Sequence, residues 1–259
     1  MAPERDSVNR FTDRVENYAR YRPGYPDDIA SIATQHLDLQ PGAAIADVGS
    51  GTGKSSLPFL QAGFEVFAVE PNPAMRAAAE AELGRWKSFH SLAGTAEALP
   101  LEDHSIALLV AGQAFHWFDQ PVSRREFQRV LIPHGGLMLI WNNRRTESSH
   151  FLLAFERLLI DLCPDYVNVG NKHYEDIELE EFFGGPFRSA VVHTEQTLDA
   201  EGFEGRLFSS SYTPSSGEAR RILEEASRQL FAEHAVDGQV QFDYDTEVFY
   251  GRLASEPTA

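Results

Sequence analysis

The stretch "AIADVGSGTGKSS", residues 44–56, decides how the chain is read. An apolar run ends in Asp47, glycines follow at 49, 51 and 53, and a helix-length segment succeeds them, which is the order strand, tight turn, helix. Three kinds of site use glycines in such a turn. A phosphate-cradling P-loop needs four residues between its first glycine and its Gly-Lys-Ser/Thr. Here only three separate Gly49 from Gly53, and Val48 stands where the first glycine is required. A dinucleotide turn needs a third glycine so that helix and strand pack closely. That place falls on Lys54, whose long charged side chain opposes the packing. The downstream acid does suit a ribose: Glu70 ends the next apolar run and could accept hydrogen bonds from its hydroxyls, so a nicotinamide cofactor stays open as an alternative. Lys54 itself is expected to open the helix and point to solvent.

Outward from this stretch the same rhythm recurs. Apolar runs at Ala43 to Val48, Glu65 to Glu70, Ser105 to Ala111 and Gly135 to Asn143 are each followed by a helix-length segment. Strands apolar on both faces and separated by helices predict a parallel sheet covered on both sides, an α/β, doubly wound fold. After Arg145 the pattern changes to a helix, a loop with Pro164 and Gly170, a short acidic helix "DIELEEFFGG" and a strand "FRSAVVHTEQTL". A helix and turn, a long amphipathic helix and the alternating strand "VQFDYDTEVFY" close the chain, with the last strand read as an edge. The expectation is a single domain with a seven-stranded, mostly parallel sheet and helical insertions. It divides into an N-terminal helical lid (1–40), a cofactor-binding core (41–143), substrate-side insertions with the sixth strand (144–216), and a closing helix and edge strand (217–259).

Composition narrows the function classes. Acidic residues outnumber lysine and arginine 39 to 22, a formal charge of -17. Such a surface repels phosphate backbones and anionic head groups, so neither nucleic acid nor membrane is expected as partner. The single Cys163 excludes an internal disulfide and a cysteine-rich metal site. None of the nine histidines stands in an HExxH motif or at i, i+4 spacing, so no metal is expected. The charged N-terminus lacks an apolar signal region, and no run approaches the roughly 18 to 20 apolar residues of a membrane span, so the expected location is cytoplasmic. A monomer or weak homodimer is expected.

The series Asp-x-Gly-x-Gly-x-Gly, "VFAVEPNPAMR", "GTAEALPLEDHSIALLVAGQAFHWFD" and "FQRVLIPHGGLMLIWNN", in this order, resembles the class I S-adenosylmethionine-dependent methyltransferases across residues 40 to 143. The resemblance implies a Rossmann-like methyltransferase fold with S-adenosyl-L-methionine as cofactor and S-adenosyl-L-homocysteine as product. It places Asp47, Gly49, Ser50, Gly51, Thr52 and Gly53 at the amino-acid and ribose portions and Glu70 on the ribose hydroxyls. Pro71 and Met75 would lie on the adenine, Thr95, Ala96 and Glu97 at its edge, and Gln113 to Trp117, with Phe115, beneath the sulfur. "FTDRVENYARYRPGYP" together with "QAFHWFD" is most similar to the small-molecule subgroup that includes trans-aconitate methyltransferases, in which the N-terminal segment covers the cofactor. Tyr18, Tyr21, Arg22 and Tyr25 are its candidates here.

The implied reaction is methyl transfer to a small-molecule acceptor at oxygen, in a carboxylate or hydroxyl, or at carbon, by in-line displacement. Orientation alone can supply about 7 to 11 kcal/mol of such a barrier, so no acid or base is obligatory. His116 and Trp117 are the candidate catalytic residues. His116 could take a proton or orient a carboxylate, and could equally be a structural histidine; the faces of Phe115, Trp117 and Tyr21 could favour a sulfonium. Arg22, Arg144, Arg145 and Arg206 could clamp an anionic substrate, with at least two of them expected at solvent. A catalytically silent S-adenosyl-binding protein and a nicotinamide-dependent oxidoreductase are the alternatives.

Overall fold

The computed structural model describes residues 15–169 and 179–254. Residues 1–14, the first part of the expected lid and of the charged N-terminal stretch, lie outside the described residues, as do Gly170 and the start of the acidic helix.

Two helices, α1 (Val15–Tyr21) and α2 (Asp28–His36), precede an alternation of β1 (Ala44–Val48), α3 (Ser56–Gln61), β2 (Glu65–Val69), α4 (Pro73–Leu83) and β3 (Phe89–Leu92). Then come β4 (Ile106–Gly112), a 3-10 turn (Phe115–Trp117), α5 (Gln120–Val130) and β5 (Leu131–Arg144). The remainder is α6 (His150–Leu162), α7 (Tyr166–Val169), α8 (Leu179–Phe183), β6 (Phe187–Leu198), α9 (Ala200–Phe208), α10 (Gly217–His234) and β7 (Val240–Arg252).

The strands form one seven-stranded sheet in the order β3-β2-β1-β4-β5-β7-β6. The first five run parallel, whereas β7 lies antiparallel to both β5 and β6. The order reverses between β1 and β4, and the turns after these two strands therefore face each other across a crevice. β3, the strand for which the sequence offers no apolar run, has four residues, "FHSL", that are all half-buried.

The last strand is not the edge. β7 sits between β5 and β6, and β6 is the outer strand, without a fully buried residue. Alternation reports one-sided burial, and an antiparallel strand next to the edge shows it as readily as the edge itself. All the even-numbered residues of β7 from Val240 to Tyr250 are buried.

Apolar side chains pack on both faces of the sheet. One cluster joins Ile29, Ala33, Phe59 and Phe64 to Ile45, Leu108 and Ile140; the other joins Phe115, Phe127, Phe182 and Phe183 to Leu109, Leu139 and Trp141. α8, grouped from sequence with the insertions over the site, thus belongs to the core beside α5. A third cluster is built by α6, α9, α10 and the first half of β7, around Phe151, Phe155, Phe203 and Phe242. It fixes α9, and with it Arg206, against the sheet.

Candidate active site

The strand-ending Asp47 is fully buried and its Oδ2 accepts hydrogen bonds from the hydroxyls of Ser55 (2.7 Å) and Ser56 (2.6 Å). Burial, opposed by these hydroxyls, pushes its pKa up to about 6. Its Oδ1 has no hydrogen-bond partner among the described residues. Asp47 therefore pins the turn to the start of α3 from behind.

In front of it, Gly49 and Ser50 donate their N–H groups to the Val69 carbonyl, and Gly51 donates to Glu70 Oε2 at 2.9 Å. Glu70 Oε1 accepts from the Asn72 N–H, also at 2.9 Å. The carboxylate is thereby held rigidly at the end of β2, with a lone pair on each oxygen left for a further donor. A Cβ on Gly49 would stand 2.7 Å from the Ala114 Cβ, so that residue must be glycine for the β1 and β4 turns to approach. Gly51 adopts φ +56 with no atom within 4 Å of where its Cβ would be, leaving bare backbone beside open space. On the other side, Gln113 holds φ 55, a left-handed conformation rare outside glycine, stabilised by its N–H to the Ile140 carbonyl and its amide to the Asn142 carbonyl.

These turns open on a cavity of about 310 Å³. Of the residues expected at a cofactor, Arg22, Gly49, Ser50, Gly51, Thr52, Glu70, Pro71, Met75, Thr95, Ala96, Glu97 and Gln113 line it, and so do His116 and Trp117. Four do not. Asp47 lies behind the turn. Gly53 packs against α4, where a Cβ would collide with Leu83 Cδ1. Phe115 is fully buried in an aromatic cluster with Phe118, Trp141 and Phe182, since the 3-10 turn directs it into the core. Tyr21 packs outward on α9 over Gly205 and donates its hydroxyl to Glu201 at 2.7 Å.

Lys54 corrects a further expectation. The helix opens at Ser56, and Lys54 lies half-buried on the cavity wall, its pKa lowered by burial. Tyr25 also lines the cavity, its hydroxyl crowding Gly112 closely enough that a Cβ there would stand 2.8 Å away. Burial raises its pKa well above the usual value, so its hydroxyl keeps its proton.

Among the arginines, Arg22, Arg144 and Arg206 reach the cavity, and only Arg145 stays at the surface, 3.9 Å from Asp245. Arg144 and Arg206 are each 6% exposed, against the expectation that at least two of the four face solvent. Arg144 is paired with Glu156 and also donates to the Tyr166 hydroxyl. Tyr18, Tyr212, Tyr244, Asn142 and Asn143 complete this side of the wall, brought there by α1, the segment after α9, and β7 and β5. Tyr18 lies in the N-terminal segment singled out from sequence, whereas the only sequence signal of the other four is position after elements whose order in the sheet was not legible.

No group of three potential metal ligands occurs among the described residues, and no helix among them is long and apolar enough to cross a membrane.

Residues 46–139 match the methyltransferase domain family. The chain is 38% identical over 142 residues to an uncharacterized methyltransferase of Mycobacterium tuberculosis, covering 54% of this chain and 55% of the relative. It is 34% identical over 143 residues to an uncharacterized methyltransferase-like protein of Schizosaccharomyces pombe, covering 54% of each. The chain thus spans about half the length of the curated relatives it matches. Its fold is similar to that of a solved structure from Anaeromyxobacter dehalogenans provisionally described as a type II methyltransferase, with TM-score 0.69 and 21% identity over 90% of this chain and 98% of that one. The YcgJ protein of Bacillus subtilis gives TM-score 0.53 and 16% identity over 89% of this chain and 100% of that one. The segment that matches the methyltransferase domain runs from within β1 into β5 and contains the Gly49 to Gly53 turn and the Glu70 carboxylate.

Proposed function

We propose that the protein transfers the methyl group of S-adenosylmethionine to a small-molecule acceptor held in the same cavity. The observation that carries this reading is the Glu70 carboxylate, fixed by two backbone N–H groups on the wall of a cavity whose other edge is bare glycine backbone. A rigid carboxylate with spare lone pairs matches the two hydroxyls of a ribose, and the wall formed by Pro71, Met75 and Ala96 matches a purine face. The donor set therefore fits the cofactor. When bound, the sulfonium supplies an electrophilic methyl whose transfer leaves neutral sulfur.

The chain's own task is alignment. Glu70 and the glycine turn hold one side, Gln113, His116 and Trp117 the floor, and Tyr18, Arg22 and Tyr25 the N-terminal cover. The acceptor atom forms its bond to carbon as the carbon–sulfur bond breaks with its electron pair on sulfur. For a hydroxyl acceptor, the proton passes to His116 or to water. Trans-aconitate methyltransferases, suggested by the N-terminal and "QAFHWFD" segments, are the subgroup in which this reading sits.

Calorimetric titration with S-adenosylhomocysteine tests the reading. Micromolar binding to the wild type, weakened at least about tenfold in Glu70→Ala, is expected. A folded wild type that binds NAD and not S-adenosylhomocysteine would overturn it in favour of the oxidoreductase.

A further inference from the structure

The two edges of the sheet are finished differently. β3 closes one side with only four residues, whereas β6 closes the other with twelve, paired to β7 residue by residue from Phe187 to Leu198 without a bulge. An edge strand offers its outward N–H and C=O groups to any approaching strand, and natural proteins blunt such edges by shortness, a bulge, proline or lysine. β6 contains no proline and no lysine, and among the described residues its only backbone partner is β7. Near its middle stands the apolar run Ala190-Val191-Val192, with Val191 52% exposed. The strand is electrically balanced within a chain of charge -17: it holds Arg188 and Glu195, and its His193 is tied to Asp245 at 2.6 Å. No residue of β6 lines the cavity.

We propose that β6 pairs antiparallel with β6 of a second copy across a two-fold axis through Val191, joining two seven-stranded sheets into one. An axis normal to the sheet sets a strand antiparallel to its own copy and keeps each face of the sheet on one side, so a symmetric dimer completes the ladder with this strand alone. With the axis at Val191, that residue lies against its own copy, Ala190 against Val192, Ser189 against His193 and Arg188 against Thr194. The exposed valines then cover one another, and the apolar run pairs with itself. Like charges stay apart, since at about 3.3 Å per residue the two Arg188 stand roughly 20 Å from each other and the two Glu195 farther. An axis one residue later sets Val191 against His193, whose ring Asp245 already holds, and an axis two residues later sets it against the charge of Glu195. A copy with the same net charge can approach here because the strand is neutral. The acids behind it, Asp243, Asp245 and Glu247, belong to β7, one strand further in and about 10 Å from the incoming strand. Repulsion over that distance is screened by salt, so the dimer tightens as salt rises, the reverse of an interface held by ion pairs.

The association does not depend on what the cavity binds, so its test needs no ligand. Sedimentation velocity of the whole protein over a concentration series is expected to show a monomer–dimer equilibrium that shifts toward dimer as sodium chloride rises from about 50 to 500 mM. Val191→Lys, at an exposed position opposite Glu247, is expected to fold as the wild type does and to lose at least about tenfold in dimer affinity. Crosslinking with a short bismaleimide reads the register. The chain's own Cys163 is fully buried, so Val191→Cys is expected to join two chains. Thr197→Cys, exposed on the same face of the same strand, stands about 40 Å from its copy in this register and is expected not to. A wild type that stays monomeric across the series would overturn the proposal and leave the edge to a segment of this chain outside the described residues or to a different protein. So would a dimer unaffected by Val191→Lys, or equal crosslinking at both positions, since another surface or register would then hold the copies together. A dimer that loosens with salt would likewise overturn it, because the contact would then rest on ion pairs that β6 does not supply.

Discussion

Asp47 is fully exposed to none of the solvent and to none of the cavity, yet it conditions the site because it ties the glycine turn to α3 through Ser55 and Ser56. Its folded carboxyl holds a proton up to about pH 6, whereas an unfolded one releases it near 3.8. Between these values the folded state binds more protons, so stability falls as pH rises, and outside them the contribution is level. The shift corresponds to at most about 3 kcal/mol. Comparing urea unfolding of wild type and Asp47→Asn from pH 4 to 7, the wild type is expected to lose ground steadily up to about pH 6 and then no further; a pH-independent difference would refute the raised pKa. The residue types at 47, 49, 51 and 70 were readable as a ligand turn from spacing alone. That Asp47 and Gly53 support the turn rather than line the cavity was not, because spacing along a strand does not say which neighbour a side chain meets.

Among the elements, α4 shows how a short segment is both folded and aimed. Pro73 stands at its start, where a missing N–H costs nothing, and Asn72 caps it by accepting from the N–H groups of Ala74 (2.9 Å) and Met75 (3.2 Å). The Asn72 N–H meanwhile donates to Glu70, so the cap, the carboxylate and the cavity-lining Met75 form one unit. Asn72→Ala is expected to lower unfolding free energy by about 1 to 2 kcal/mol in denaturant titration. It should also weaken S-adenosylhomocysteine binding, while stability loss with unchanged binding would separate the cap from the site. The strong β–α alternation through Asn143 made these elements legible. β3 was not, because a strand of four half-buried residues leaves no apolar pattern, and β7 was misplaced at the edge because alternation does not encode which neighbours a strand has.

On the scale of the whole molecule, the cluster around Phe242 links the end of the sheet to the arginine side of the cavity. Phe242 is fully buried against Phe151, Phe155 and Phe203, and α9 carries both Phe203 and Arg206. Phe242→Ala is expected to cost about 3 to 5 kcal/mol of stability, measured by chemical unfolding. Because Glu70 and the glycine turn stand on the other half of the sheet, S-adenosylhomocysteine affinity should change by less than about 1.4 kcal/mol. A larger loss would mean the two halves do not hold the site independently. By itself the sequence determined the α/β layering, the turn that replaces a phosphate loop, and the acid at the end of β2, since each is written in residues close together along the chain. Only the tertiary structure decided that β7 lies inside β6, that Phe115 and Tyr21 turn away from the cavity, and that Arg22 and Arg206 meet across one serine. Those outcomes depend on contacts between residues far apart along the chain, more than 180 positions in the case of Arg22 with Ser209 and Ser210, whose geometry is set by how the sheet closes and the helices pack, and no local pattern carries that information.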